Sequence, residues 1–309
     1  MIVRLRVAGL TLSARADRDL AGLRPAPRLQ PFTATRGGDI ELLVSEEEPP
    51  EPSPGSRLFD SGGLWSVHRH GDRLLYLFRE PIAGRRPYKA VLIDADRRRG
   101  TLFIPKRPQS RKTGYALAFP LDELLFHHRL VREGGLFVHA CAVRLPGGAA
   151  LFCGVSGAGK TTLARVFHRA GVSVLSDDRV ALRPTPGGFS TWGTPWHGSG
   201  RFASPESAPL RAVFFLKQAP HSEVVPMATG AAARLFSLTF PPLWEAQGVA
   251  QALDTCGRVV EEAPVFELRF RKDRSALVAV REALRGTSRR PPEGAGARGL
   301  PLTASAACG

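Results

Sequence analysis

The chain of 309 residues carries 43 lysines and arginines against 28 aspartates and glutamates, a formal net charge of +15 at pH 7. This length leaves room for two domains, each able to bury a hydrophobic core. The hydrophobic content of 43% is ordinary for a globular protein, and no apolar run approaches the roughly 20 residues that span a bilayer. We therefore expect no membrane partner, which excludes a helical channel or transporter.

The excess of positive charge raises the question of a nucleic-acid partner. The basic residues are nearly all arginines and are scattered along the whole chain. The local clusters, Arg97-Arg98-Arg99 and Arg289-Arg290, lack the interleaved aromatic residues that stack on bases. The pattern is typical of a compositional bias, so nucleic acid is not the expected partner, while attraction of an acidic partner stays open.

The beginning of the chain and its cysteines predict a cytoplasmic protein. Residues 1–7 alternate apolar and basic side chains, which indicates a strand and not a signal peptide. Cys141, Cys153, Cys256 and Cys308 are widely spaced and form no paired motif. Free thiols in a reducing compartment are the simplest interpretation.

Residues 1–118 are predicted to form a β-rich N-terminal domain. Strands are predicted at 2–7, 39–44, 64–68, 73–78, 90–93 and 101–104. Their spacing favours an antiparallel sheet, and the acidic, proline-rich stretch 46–55 is predicted to lie outside it. His68 and His70 share one strand face and are interpreted as surface residues.

The hydrophobic period changes near Pro120. Residues 119–133 predict a connecting helix, with Asp122 and Glu123 in its first turn. Residues 134–284 alternate predicted strands and helices, which indicates an α/β domain. Residues 285–309, rich in glycine, proline, alanine and arginine, are predicted to form a disordered tail.

A phosphate-binding loop opens the second half of the chain. The run Gly154-Val155-Ser156-Gly157-Ala158-Gly159-Lys160-Thr161 satisfies the pattern G-x-x-x-x-G-K-[ST], with an apolar strand before it and a helical run after it. In this context backbone N–H groups and a helix N-terminus face the phosphates of a nucleotide. We therefore predict ATP and Mg²⁺ as ligands. The predicted nucleotide-binding residues are Gly154, Ser156, Gly157, Ala158, Gly159, Lys160, Thr161 and Thr162.

An aspartate pair follows at the end of the next predicted strand. If that strand lies parallel to and beside the loop strand, Asp177 and Asp178 end next to the phosphates. One carboxylate would then support Mg²⁺ and the other would accept the proton of an attacking hydroxyl. The plain alternative is an Asx turn that ends a strand. An acidic residue so soon after Lys160 favours a small kinase over the transporter and helicase classes of ATPase.

These motifs together resemble one family. The run His139-Ala140-Cys141-Ala142-Val143, the loop at 154–161 and the Asp177-Asp178 pair are similar to the C-terminal domain of HPr kinase/phosphorylase. The resemblance covers residues 134–217 well and 218–283 loosely. It implies a P-loop kinase domain of the fold shared with phosphoenolpyruvate carboxykinase. It also implies that Lys160 holds phosphate, Thr161 and Asp177 hold Mg²⁺, Asp178 accepts the proton and His139 lies at the active site.

The chain departs from the family pattern at two places. The later catalytic segment of the family has a glutamate that helps to hold Mg²⁺, whereas residues 193–198 here contain none and offer His197 instead. The N-terminal domain does not match. The chain thus resembles the wider HPr-kinase-like group, some members of which phosphorylate a serine of a ribosomal peptide. Since characterised members of the family are hexamers, a homo-oligomer is one expectation.

Other residues have both a functional and a structural interpretation. His127, His128, His139 and Cys141 fit no standard zinc spacing, so structural roles are favoured. Trp192 and Trp196 would either stack on a ligand or pack in the core. Arg201 is either a cation at the transition state or a solvated arginine.

The sequence therefore predicts an ATP-dependent kinase that phosphorylates a hydroxyl, most simply a serine of a peptide or small protein. Two alternatives stay open. One is a kinase acting on a small-molecule hydroxyl. The other is a non-catalytic module that senses nucleotide.

Overall fold

The computed structural model describes residues 1–79, 86–105 and 115–286, and its elements form two large sheets with five helices within those ranges. The strands of the first sheet are β1 (Ile2–Val7), β2 (Leu10–Arg15), β3 (Ile40–Ser45), β4 (Arg57–Asp60), β5 (Trp65–His70), β6 (Arg73–Phe78), β7 (Lys89–Ile93) and β8 (Arg99–Phe103). The helices are α1 (Leu121–Arg132), α2 (Lys160–Arg169), α3 (Ala231–Phe236), α4 (Ala246–Glu262) and α5 (Ser275–Gly286). The strands of the second sheet are β9 (Leu136–Leu145), β10 (Gly148–Cys153), β11 (Ser173–Ser176), β12 (Arg179–Thr185), β13 (Gly188–Trp192), β14 (Ser207–Gln218), β15 (Glu223–Pro226) and β16 (Val265–Phe270).

The first sheet has the order β1-β2-β3-β8-β7-β6-β5-β4. The prediction of a purely antiparallel sheet was wrong, because β3 pairs in parallel with both β2 and β8. The chain between β2 and β3 includes two short 3₁₀ segments, Ala21–Leu23 and Pro27–Phe32, and a long connection of this kind lets the next strand start from the same end. Strands β2 and β4 were not predicted, and the 46–55 stretch stays outside the sheet as expected.

Helix α1 lies inside the protein and is not a solvated connector. Leu121, Leu125, Phe126 and Leu130 are fully buried in the hydrophobic core of the first sheet. The same core includes side chains of the second half of the chain, Phe137 among them. A helix buried on nearly all sides carries few free polar positions, and its charged residues must be paired.

The second sheet is built around β9. Its first half pairs with β12, and its second half pairs with β10 on one side and β11 on the other. The prediction that the aspartate strand lies beside the loop strand was therefore wrong. The tight turn at Gly147 and Gly148 folds β10 back against β9. Strand β9, and not β11, therefore occupies the antiparallel position beside the loop strand β10.

Strands β10 and β11 nevertheless run in the same direction, because both are antiparallel to β9. Their carboxyl ends meet at one edge of the sheet. Strand β14, and not β11, is the parallel neighbour of β10.

Helices cover both faces of this sheet. Side chains of α2 and α5 pack on one face with Phe152 and Phe214, while α3 and α4 pack on the other with Leu151 and Val213. Cys141, Cys153 and Cys256 are buried free thiols in these layers, as predicted, and Cys308 lies outside the described residues. None of the described helices has the length and apolar character needed to cross a lipid bilayer.

The predicted start of the C-terminal tail lies close to the observed end of the last described helix. Helix α5 extends to Gly286, so the first two residues of the predicted disordered tail are helical. The remainder of that tail, 287–309, lies outside the described residues.

Candidate functional site

The predicted site residues come together at the edge where β10 and β11 end. Register pairs Cys153 with Ala140, and Arg179 with His139, so the loop, the aspartates and the histidine leave the sheet side by side. They surround a cleft of about 350 Å³. The predicted residues that line it are His139, Ser156, Gly157, Gly159, Lys160, Thr161, Thr162, Asp177 and Asp178. Gly154 and Ala158 belong to the loop but do not line the cleft.

The loop that precedes α2 is held in a shape that only glycine permits at one position. Gly159 has φ of +105°, and a side-chain carbon there would lie 2.7 Å from Cζ of Phe270. Lys160 begins α2, so the N-terminus of the helix faces the cleft. The Gln218 side chain at the end of β14 donates to the Gly157 carbonyl at 2.8 Å and fastens the loop from the neighbouring strand.

Lys160 is the buried cation of the cleft. Its Nζ donates to the Gly154 carbonyl at 2.6 Å and to the Val155 carbonyl at 3.0 Å. Burial lowers the pKa of Lys160, while the nearby Asp178 carboxylate opposes that effect. An ammonium with this placement can exchange its loop carbonyls for phosphate oxygens.

Asp177 is almost fully buried, at 1% exposure, and its carboxylate is fixed by three donors. The Gly198 amide donates to Oδ1 at 2.9 Å, and the Gly200 amide and the Thr161 hydroxyl donate to Oδ2 at 2.8 Å and 3.2 Å. The 193–202 stretch therefore wraps onto this aspartate. Two of its residues, Gly198 and Ser199, line the cleft.

The pair of Thr161 and Asp177 suits a magnesium ion. Mg²⁺ in nucleotide sites takes one or two protein oxygens and completes its shell with phosphates and water. Thr161 Oγ1 and Asp177 Oδ2 lie 3.2 Å apart at the wall of the cleft, which fits such a partial ligand set. Within the described residues no cluster of three or more His, Cys, Asp or Glu side chains is arranged to hold a metal by itself.

Asp178 is held by both of its oxygens. His139 Nε2 lies 2.9 Å from Oδ1, and Arg179 Nη1 lies 3.0 Å from Oδ2. Burial by itself would raise the pKa of Asp178, but the hydrogen bond from His139 and the charge of Arg179 outweigh it and leave the pKa below its ordinary value. The carboxylate is therefore ionised at neutral pH and oriented toward the cleft.

Arg179 continues this network into α1. Its Nε donates to Glu123 at 2.7 Å, and its guanidinium lies 4.2 Å from the centre of the Phe240 ring. Burial raises the pKa of Glu123, while the charge of Arg179 opposes that rise. Phe240 also approaches the His139 ring at 6.4 Å between ring centres. Thus a chain of contacts runs from His139 through Asp178 to a helix buried against the first sheet.

Four residues of this site were missed from the sequence: Glu123, Arg179, Phe240 and Lys272. Arg179 directly follows the aspartate pair. The alternation of side chains between the two faces of β12 is the sequence signal that could have identified Arg179. Glu123 was assigned to the first turn of a helix and nothing more. Lys272 lines the cleft from the connection between β16 and α5, far along the chain, and no sequence motif marks it.

The alternative candidates have other environments. Trp196 donates to Asp122 at 3.1 Å and packs against Phe126 and Phe137, and Trp192 donates to Ser190, so both tryptophans belong to the core. The His197 ring contacts the Gly198 carbonyl at 3.0 Å and does not line the cleft, and Arg201 is exposed outside it.

Three further histidines are buried. His127 and His128 lie in α1, where burial lowers the pKa of both, and Tyr76 contacts Nδ1 of His128 at 2.9 Å. The interpretation of His68 as a surface residue was wrong. Its ring is buried on β5, with the Ser66 hydroxyl 3.0 Å from Nε2 and the Ser56 hydroxyl 3.4 Å from Nδ1.

Comparison with known proteins gives one family similarity. Residues 121–258 are similar to the family described as SynChlorMet cassette protein ScmC. The match begins at the first residue of α1 and ends within α4, so it includes the loop, the aspartate pair and the 193–202 stretch and spans less than half of the chain. No curated protein matches the sequence.

Proposed function

We propose that this protein is an ATP- and Mg²⁺-dependent kinase of the HPr-kinase-like group. It would transfer the γ-phosphoryl group to a hydroxyl, a serine of a peptide or small protein being the favoured acceptor. The observation that carries the proposal is the meeting of three units in one cleft. These are the glycine loop with Lys160, the Thr161–Asp177 pair, and the Asp178–His139 pair.

Each residue has a definite task in this proposal. Lys160 and the loop amides bind the β- and γ-phosphates and stabilise charge on the transferred group. Thr161 and Asp177 hold the metal, which supplies electrostatic stabilisation to the phosphates when bound. Asp178 accepts the proton as the acceptor oxygen forms its bond to phosphorus and the bond from phosphorus to the β-phosphate oxygen breaks. His139 orients the Asp178 carboxylate, and Lys272, which also lines the cleft, adds positive charge.

Two variants test the proposed roles of Lys160 as the phosphate-binding cation and of Asp178 as the base. Purified protein is incubated with γ-labelled ATP, Mg²⁺ and a cell extract as the pool of acceptors. We expect Lys160→Ala to lose nucleotide binding and transfer, and Asp178→Asn to bind nucleotide normally but to lose transfer by about 100-fold or more. Asp254→Asn, an exposed change on α4, is the matched control and should keep full activity. Full transfer by Asp178→Asn would remove the base assignment.

The same assay separates the alternative functions. Label in one peptide or protein supports the proposal. Label in a metabolite would replace it with a small-molecule kinase. Bound nucleotide with no label in any acceptor would indicate a nucleotide-sensing module.

A further inference from the structure

The first turn of α1 carries two neighbouring carboxylates, Asp122 and Glu123, and only Glu123 is linked to the cleft by an ion pair. Glu123 pairs with Arg179, which contacts Asp178. Asp122 is 2% exposed and does not line the cleft. A buried carboxylate is costly unless donors satisfy it, so the donors to Asp122 indicate what this residue holds in place.

Two N–H groups donate to Asp122. Trp196 Nε1 donates to Oδ2 at 3.1 Å, and the backbone amide of Glu123 donates to Oδ1 at 2.9 Å. Burial raises the pKa of Asp122 to about 6, while these two hydrogen bonds and the charge of Lys89 oppose the rise. The carboxylate is therefore mostly ionised at pH 7, and the bond from Trp196 is charge-assisted.

Trp196 belongs to the 193–202 stretch that wraps onto Asp177. The Gly198 and Gly200 amides of this stretch donate to the Asp177 carboxylate at 2.9 Å and 2.8 Å. Trp196 lies only two residues before the first of these donors. A rotation or displacement of Trp196 would therefore move the amides that fix Asp177.

The ring and the N–H group of Trp196 make separate contacts. The ring packs against Phe126 of α1 and Phe137 of β9, with 6.0 Å and 5.2 Å between ring centres. These apolar contacts hold the ring in the core but specify no hydrogen-bond direction. The bond to Asp122 supplies that direction and fixes the orientation of the indole.

The first sheet contributes the positive charge near this carboxylate. Lys89 of β7 is 3% exposed, and its Nζ donates to the carbonyls of Ala116 and Ala118 at 3.2 Å and 2.8 Å. These carbonyls directly precede α1, so Lys89 fastens the start of the helix to the first sheet. A line of contacts thus runs from β7 through the start of α1 to the 193–202 stretch.

We propose that Asp122 and Trp196 are positioning residues for Asp177, the carboxylate assigned to Mg²⁺. The first turn of α1 thereby serves both aspartates of the cleft. The effect on Mg²⁺ rests on the proposed kinase function, whereas the anchoring of the 193–202 stretch does not.

Hydrogen exchange in the ligand-free, full-length protein tests the anchoring without nucleotide or metal. Trp196→Phe keeps an aromatic ring against Phe126 and Phe137 while removing the N–H donor. We expect the Gly198 and Gly200 amides to exchange about tenfold faster or more, the effect of losing a hydrogen bond to a charged group. This acceleration should exceed that of the β10 amides, which report any general loss of stability.

Trp192→Phe is the matched control. Trp192 is also half-buried, its Nε1 donates to Ser190 at 2.7 Å, and it lies just outside the 193–202 stretch. This change should leave the exchange of the two glycine amides unaltered. Asp122→Leu should accelerate them, and adding Trp196→Phe to it should have little further effect, because both changes remove the same bond.

Calorimetry tests the consequence for the metal. Trp196→Phe should weaken the affinity for Mg²⁺–ATP about tenfold and leave the affinity for ATP without Mg²⁺ unchanged, and Trp192→Phe should change neither. Glycine amides that exchange no faster than those of β10 in Trp196→Phe would overturn the proposal. Unchanged Mg²⁺–ATP affinity in that variant would overturn it too. Failure of the wild type to bind ATP would instead refute the kinase function, and the exchange rates would still decide the anchoring.

Discussion

At the scale of single residues, two similar ion pairs join β12 to the two ends of α1, one at Glu123 in its first turn and one at its C-cap residue Glu133, and only the first reaches the cleft. Arg179 pairs with Glu123 at 2.7 Å, and Arg183 pairs with Glu133 at 2.6 Å. Arg179 also donates to Asp178, whereas Arg183 donates to the Ala8 carbonyl of the first sheet. Arg179 and Glu123 are therefore positioning residues for the proposed base, and the Arg183 pair is a natural comparison.

We predict that Arg179→Gln lowers kcat about tenfold or more, the cost of losing a hydrogen bond to a charged group, with little change in KM for ATP. The charge of Arg179 lowers the pKa of Asp178. Removing it raises that pKa, so the acid side of the kcat profile moves to higher pH, because protonated Asp178 cannot accept a proton. The measurement is kcat against pH for wild type and variant.

Arg183→Gln is the matched control, since it breaks the other pair between the same two elements. It should leave the pH profile in place even if it lowers stability. Arg179→Lys should restore part of kcat and return the profile toward that of wild type. An unchanged pH profile in Arg179→Gln would contradict a positioning role.

At the scale of elements, the 193–202 stretch acts as a clamp on Asp177. A side-chain carbon at Gly200 would lie 2.5 Å from Asp177 Oδ2 and 2.9 Å from Cγ2 of Thr161. Contacts this close cannot be tolerated, so a larger residue at this position would displace the Asp177 carboxylate and the loop that holds it. The irregular sequence of the stretch reflects this requirement for close approach.

Gly200→Ala is accordingly predicted to weaken the affinity for Mg²⁺–ATP about tenfold, as expected for a residue that orients a metal ligand. Affinity for ATP without Mg²⁺ should change little, because the loop and Lys160 are untouched. Calorimetry with and without Mg²⁺ measures both. Gly187→Ala, where a side-chain carbon meets nothing within 4 Å, is the control. Equal losses with and without Mg²⁺ would argue against the clamp.

Sequence reasoning succeeded for these elements where the determinants are local. The glycine loop and α2 follow from patterns within short windows, and the structure contains both. The position of β11 and the parallel pairs of β3 depend on contacts between distant strands, which no local pattern encodes. The pair of Arg179 and Glu123 joins residues 56 positions apart, so it could not be predicted from either neighbourhood.

At the scale of the whole molecule, one hydrophobic core joins both halves of the chain. It includes buried residues of the first sheet such as Leu12 and Tyr76, buried residues of α1, and Phe137 and Ala181 of the second sheet. Helix α1 also carries Glu123, which pairs with Arg179 and through it contacts Asp178 at the cleft. The first sheet is thus expected to support the cleft through α1 and to unfold together with it.

Leu125→Ala tests this coupling, because Leu125 is fully buried in the shared core in the middle of α1. Removal of a buried leucine side chain should lower the free energy of unfolding by about 3–5 kcal/mol. If the halves unfold as one unit, hydrogen exchange of the backbone amides of β6 in the first sheet and β10 in the second should accelerate by the same factor. Leu253→Ala, the same change at a 48% exposed position of α4, should alter both rates little. Acceleration in β6 with an unchanged rate in β10 would mean that the cleft keeps its structure without the first sheet, and the support through α1 would then be disproved.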